Sequence, residues 1–307
     1  MGHTTISTSP IEGVAAFQLD GAAVLGRAAR TGPGALDPIL RRHDYPWPVA
    51  LVLGEALLLA ALLGGLLKSP GKVTIQAQGD GPVGLMVGEW SHPGALRGYA
   101  RVKKGVALQE TRYAPAALFG AGSLAITIEL LGEGGPIQGI VPLEGVSLAA
   151  CAEAYFERSA QTPTKLALAV GEEYVGSARL WRGAGLLLQR MAGDFARGDA
   201  EEDWRRAGLL FDTVTDGELV DPNLPMAQLL YRLFHEEGVR LGQTQELFDL
   251  CTCDPLRLAA VMRQFNADEL AELTGEDGVI EARCQFCART HRLAAQDIAA
   301  GPSVPAD

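Results

Sequence analysis

The chain changes its hydrophobic rhythm several times, and each change predicts an element. Residues 14–30 mix β-branched and small side chains in a pattern that fits a strand pair, and Gly32-Pro33-Gly34 then ends it. Asp44-Tyr45-Pro46-Trp47-Pro48 is a stiff entry, because each proline drives its predecessor out of the helical region. Residues 49–67 follow as a long helix with no polar face. Glu55 interrupts that stretch and leaves an unbroken apolar run only over residues 56–67, too short to span a bilayer, so the pattern predicts a helix inside a globular core.

Residues 73–78 alternate with period two, Gly79-Asp80-Gly81-Pro82 makes a turn, and residues 83–87 resume the extended pattern, which predicts a β-hairpin. Residues 122–130 and 137–143 predict a second hairpin. Residues 147–158 place Ser147 at a helix N-cap ahead of apolar residues at helical spacing and Tyr155-Phe156; Gln161-Thr162-Pro163-Thr164 stops that helix, and residues 165–170 read as a strand. Beyond Arg179 the composition shifts: residues 181–191 are apolar, 193–206 charge-rich, 221–225 broken by proline and 226–233 helical. These segments predict helices laid over another domain.

The fold class this outlines is α+β: a mixed β-sheet core domain with a central apolar helix (residues 1–178), a helical linker (179–245), a small C-terminal zinc-binding domain (246–300) and a disordered tail (301–307). With 307 residues, 48% apolar and 21% charged, the chain has material for more than one unit. A net charge of -11 repels phosphate backbones and anionic lipid, so neither nucleic acid nor membrane is an expected partner. The first residues, Met1-Gly2-His3-Thr4-Thr5-Ile6, lack the basic and apolar regions of a signal peptide, and no export or lipid anchor is expected.

Five cysteines, four of them in two close pairs near one end, do not form the scattered framework of a secreted disulfide scaffold, and a reducing cytoplasm fits them better. Cys251-Thr252-Cys253 and Cys284-Gln285-Phe286-Cys287 supply the four soft thiolates that a tetrahedral zinc ion takes, at Zn–S distances of about 2.3 Å. Between the pairs, Asp254-Pro255 starts one helix, residues 268–273 form another, and residues 279–282 read as a strand that delivers the second pair. A module this small has little core, and a structural zinc contributes on the order of 10 kcal/mol of apparent folding energy. Spacing alone leaves open a permanently closed zinc site, a redox sensor in which oxidation forms disulfides and releases zinc, a thioredoxin-like pair, an iron-sulfur cluster, or two unrelated disulfides.

Other candidates carry less. His235-Glu236-Glu237-Gly238-Val239 lacks the second histidine of a zincin helix, and Gln78-Gly79-Asp80-Gly81-Pro82 lacks the lysine and hydroxyl of a phosphate loop. His291 lies close enough in sequence to Cys287 to be a fifth metal candidate, although four cysteines complete a shell. Cys151 reads as a buried apolar thiol. Five arginines face nine acidic residues between Asp249 and Asp297, a balance that argues against a nucleic-acid-reading zinc ribbon.

Taken together, Asp44-Tyr45-Pro46, Gln76-Ala77-Gln78-Gly79-Asp80-Gly81-Pro82, Arg97-Gly98-Tyr99, Gln138-Gly139-Ile140-Val141-Pro142-Leu143, Tyr155-Phe156 with Gln161-Thr162-Pro163-Thr164, Leu233-Phe234-His235-Glu236 and both cysteine pairs carry a resemblance over nearly the full length. The chain resembles the heat-shock protein 33 family of redox-regulated holdase chaperones. It departs from the family after Tyr155-Phe156, where Arg158-Ser159-Ala160-Gln161 stands in place of Gln-Ser-Glu-Gln. The resemblance implies no enzymatic activity and ATP-independent binding of unfolded client proteins under oxidative stress. It also implies an inactive, reduced form with one Zn2+ per chain on Cys251, Cys253, Cys284 and Cys287. In the oxidised form zinc has left, Cys251 pairs with Cys253 and Cys284 with Cys287, the tail domain and linker unfold, and the active protein is a homodimer. The rival expectation is a permanently structural zinc domain beside a ligand-binding or enzymatic site in the core.

Overall fold

Strands form where the β-branched pattern begins. In the computed structural model, which describes residues 12–191, 200–294 and 298, β1 (Gly13–Leu19) and β2 (Val24–Thr31) pair antiparallel as the pattern over residues 14–30 predicts. A short helix α1 (Leu36–Arg41) follows. The proline-stiffened entry then opens α2 (Trp47–Gly64), with Pro46 at the N-cap and Pro48 in the first turn. The first residues 1–6, part of the charge-rich stretch and the expected tail 301–307 lie outside the described residues.

Both predicted hairpins are present. β3 (Gly71–Gly79) and β4 (Val83–Ser91) form the first, and β5 (Ala95–Val102) continues it antiparallel. After α3 (Pro115–Phe119), the strands β6 (Gly122–Leu130) and β7 (Glu133–Pro142) form the second. The glycine-rich segment at residues 78–82 is the β3–β4 turn, where the Asp80 carboxylate accepts from the Ala121 N–H at 2.8 Å. Helix α4 (Leu148–Tyr155) starts as predicted, with Ser147 Oγ accepting from the Ala150 N–H at 3.1 Å. The residues that depart from the family continue it as a π-helical turn, Phe156–Ala160, and Gln161 at φ 50° stops it.

The remainder of the larger unit comprises β8 (Thr164–Val175), β9 (Ala178–Arg190), α5 (Ala200–Phe211), α6 (Asp216–Val220), α7 (Met226–Phe234), β10 (Val239–Glu246) and β11 (Phe248–Asp249). One sheet runs β10-β1-β2-β9-β8 and the other β11-β5-β4-β3-β6-β7. The expectation of a helical linker over residues 179–245 is therefore corrected at both ends. Its first part is β9, between β2 and β8, and its last part is β10, paired with β1. β9 is buried on both faces: Trp181 and Leu187 join one core, Ala184, Leu186 and Leu188 the other. A strand covered on both sides reads as a continuous apolar run, and such a run does not reveal its period.

Helix α2 lies between the two sheets and packs on β3, β4 and β5 of one and on β2, β8 and β9 of the other. Apolar on every face, it is the one helix among the described residues long and apolar enough to cross a membrane, and it is buried inside the unit. Contact with β4 is close enough to demand glycine, since a Cβ on Gly88 would stand 3.0 Å from the Ala56 backbone. On the other side of the five-stranded sheet, α5 and α7 cover Phe17, Val24, Leu186 and Leu188 with Phe211, Leu229, Leu230 and Phe234. Polar ties hold this cover. Arg30, buried, donates to the carbonyls of Leu219 (2.9 Å) and Leu224 (2.7 Å), and Lys165 pairs with Asp212 at 2.6 Å.

Glu55 is the one acid on α2. Its carboxylate is buried at the wall of a cavity of about 470 Å³ and accepts from Arg112 at 2.9 Å, while Arg112 also pairs with Asp216 on α6. Burial outweighs the guanidinium and raises the Glu55 pKa from 4.5 to about 7. Because the folded state holds this proton more tightly, the contribution is fully present below pH 4.5 and is lost as pH rises through about 7. Glu55→Gln removes the titration. In urea unfolding at stepped pH, the variant gains on the wild type by on the order of 3 kcal/mol between pH 4.5 and 8; parallel stability curves would rule this out.

Candidate metal centre

The chain divides into two compact units by its internal contacts, Met1–Asp249 and Leu250–Asp307, and the second holds all four paired cysteines. Its first pair sits in the irregular segment between β11 and α8 (Pro255–Met262), where Asp254 caps the helix by accepting from the Leu256 N–H. Helix α9 (Ala267–Leu273) is closed by a reciprocal cap between Asn266 and Glu269. The second pair lies in the loop of an antiparallel hairpin, β12 (Val279–Arg283) and β13 (Thr290–Ala294). Backbone bonds from Ala288 N–H to the Cys284 carbonyl and from Cys284 N–H to the Arg289 carbonyl, both 2.9 Å, fold the loop into a knuckle, with Ala288 at φ 58°. Both helices and β12 stand where the spacing predicts them; β13 is additional.

The Sγ atoms of Cys251, Cys253, Cys284 and Cys287 all lie within 4.8 Å of one another. Cys251 and Cys284 are 3.8 Å apart, Cys253 and Cys287 3.4 Å. A tetrahedral ion with bonds of about 2.3 Å spaces its sulfurs about 3.8 Å apart. The cluster therefore fits such an ion. Without one, burial pushes the Cys253 thiol up to about 12 and Cys251 upward as well. Burial also opposes ionisation of Cys287, but the Arg289 N–H and the other thiols favour its thiolate and bring its pKa below the usual value. A dication would take all four as thiolates, a charge no unoccupied cluster of this kind tolerates.

The other candidates fall where the sequence leaves them. His235 is exposed and Glu237 is buried in an ion pair with Arg206, so the zincin-like segment assembles no metal set. Cys151 is buried in the main core, and its thiol is pushed up by burial. His291 is brought to the cluster, but beside the first pair: its Nε2 is 3.2 Å from Cys253 Sγ. Sequence adjacency pointed to Cys287; the hairpin turn redirects the side chain.

These features define an α+β protein with a separate C-terminal unit equipped to hold a metal ion through four thiols. The chain belongs to the Hsp33 family: the family model described as Hsp33 protein matches residues 12–294. It is 44% identical over 284 residues to a 33 kDa chaperonin of Caulobacter vibrioides, covering 91% of this chain and 94% of that protein. With the 33 kDa chaperonin of Serratia proteamaculans it shares 38% identity, covering 85% of each. The crystal structure of the 33 kDa chaperonin (heat shock protein 33 homolog) of Thermotoga maritima superimposes with a TM-score of 0.75 at 21% identity, over 94% of this chain and 97% of that one, which establishes the fold. The chain is accordingly a chaperone-family protein and not an enzyme.

Among the described residues, few apolar side chains close the small unit: Ala259, Ile280, Leu293 and Ile298 are buried. Metal removal is expected to unfold it while the larger unit stays folded. Chelator-treated protein then loses helical circular dichroism in part and keeps one cooperative melting transition, and Cys253→Ser lowers metal affinity at least tenfold. An unchanged spectrum after complete metal removal would show that the small core suffices.

Proposed function

We propose that this chain is a redox-regulated, ATP-independent holdase that binds unfolding client proteins under oxidative stress. In this reading Zn2+ on Cys251, Cys253, Cys284 and Cys287 keeps the reduced protein inactive. Oxidation then forms Cys251–Cys253 and Cys284–Cys287, the pairing the family resemblance implies, and zinc leaves. The observation that carries the reading is the gathering of four sulfurs in a unit with so little apolar core. Zinc-bound thiolates remain nucleophilic toward peroxide, and each sulfur has a second within disulfide-forming reach after modest movement. Loss of the metal removes most of what folds that unit.

The surface to be released is the apolar side of the five-stranded sheet under α5 and α7. Ala184, Leu186 and Leu188 belong to this surface as part of β9 rather than to a labile linker, which supports a core that stays folded while its cover leaves. The helices are held to this sheet by one apolar face and by polar ties at Arg30 and Lys165, and in this reading their release is what makes the surface available. A cytoplasmic location, a homodimer in the oxidised form and the absence of nucleic-acid or membrane partners complete the proposal, in keeping with reduced cysteines and a net charge of -11.

Peroxide at elevated temperature is expected to release one zinc per chain, consume four thiols and confer suppression of aggregation on a thermally unfolding client. If zinc and thiol counts stay constant while reduced and oxidised protein protect equally, the site is a permanent staple and the switch is wrong. Loosening the cover should mimic oxidation in part. Leu229→Ala, a fully buried truncation costing about 2–5 kcal/mol, is expected to lower the temperature at which reduced protein holds clients. A variant that unfolds earlier yet holds no client until oxidised would place the binding surface elsewhere.

A further inference from the structure

Four thiolates around one dication leave a net charge of -2 in a small, partly buried site, and something must offset it. His291 on β13 is 7% exposed, and its Nε2 lies 3.2 Å from Cys253 Sγ. Two neighbouring groups, a thiol and an imidazole, can exchange donor and acceptor roles. A metal-bound cysteine cannot, because it has no proton to give. In the loaded site the imidazole must donate and the sulfur must accept. We infer that His291 is a positioning residue of the metal centre, which donates Nε2–H to the Cys253 thiolate, holds the loop of the first pair against the hairpin of the second, and restrains oxidation of that sulfur.

The geometry supports each part. β13 is fixed by pairing with β12, with His291 opposite Ala282, so the ring is delivered from the hairpin that also carries Cys284 and Cys287. Cys253 lies 38 positions away in sequence, in an irregular segment. A hydrogen bond to a metal-bound sulfur draws electron density from it, strengthens the set of ligands as a whole and makes that sulfur a poorer nucleophile. With His291 in place, oxidation of the centre should begin at the other three thiolates.

The inference rests on the metal-centre reading, and the test separates the two. Full-length wild type, His291→Phe and His291→Gln are loaded with Co2+ and followed by absorption, by competition with a chromophoric chelator, and by mapping of the first cysteines modified at limiting peroxide. Phenylalanine fills the buried space without a donor, and glutamine restores one. In His291→Phe the sulfur-to-cobalt band moves to lower energy, metal affinity falls about 10- to 100-fold, and Cys253 joins the earliest oxidised residues. Glutamine returns all three toward wild type. Identical bands and affinities in wild type and His291→Phe overturn the inference while leaving the four-thiolate centre standing, as does a shifted affinity that glutamine fails to rescue with the band unmoved. A wild-type spectrum of three sulfurs and one nitrogen also overturns it, by making His291 a ligand. If the wild type takes up no cobalt, both readings fall together.

Discussion

A helix with apolar side chains on every face has no stable position at a surface, and the larger unit is organised by the need to enclose one. Helix α2 reaches that state by packing between two sheets, so strands from distant parts of the chain share a single core. The local consequences follow from steric fit. Glycine stands at residue 88 where β4 meets the α2 backbone, and at residue 64 because a Cβ there would enter the Trp90 ring. Even the one acid on this helix is kept, with Arg112 beside it, where the interior holds its proton until near neutral pH.

The second unit solves the same problem with different means. Among the described residues, four buried apolar side chains with Leu258, Met262 and Leu270 packed on them are little to set against the ordering of its backbone, since about 1–2 kcal/mol is lost per fixed residue. Four sulfur atoms gathered within 4.8 Å can offset it, if an ion binds them. Stability of the first unit is spread over many contacts. The second gathers four thiols that could hold an ion, so the two units differ in what their folding can draw on: packed apolar contacts in one, metal ligands in the other.

How much of this was legible depended on whether each element carries its own period or punctuation. The β3–β4 and β6–β7 hairpins, the Ser147 cap, the proline entry to α2 and the cysteine knuckle all announce themselves through a local rule, and the structure places them as expected. β9 does not, because burial on both faces erases the alternation that marks a strand. β10 is short of apolar residues, and its place beside β1 is a long-range pairing that no window of sequence contains. The same holds for His291. Its nearness to a cysteine pair is visible in the sequence, but which pair it meets is decided by the turn at Ala288 and the register of β12 with β13.

The placement of β9 also bears on what the helical cover is. Were residues 181–188 part of a labile linker, disorder there would breach the five-stranded sheet between β2 and β8 and expose α2. As a central strand with partners on both sides, β9 cannot leave without unfolding the unit. The helices from Ala200 to Phe234 can, because what they lose is one apolar face and a few polar ties, and no sheet ladder passes through them. A division of the larger unit into a durable sheet and a separable cover would therefore fall after Arg190. Were the cover to leave, the apolar side of β9 would be a surface still held in place by β2 and β8.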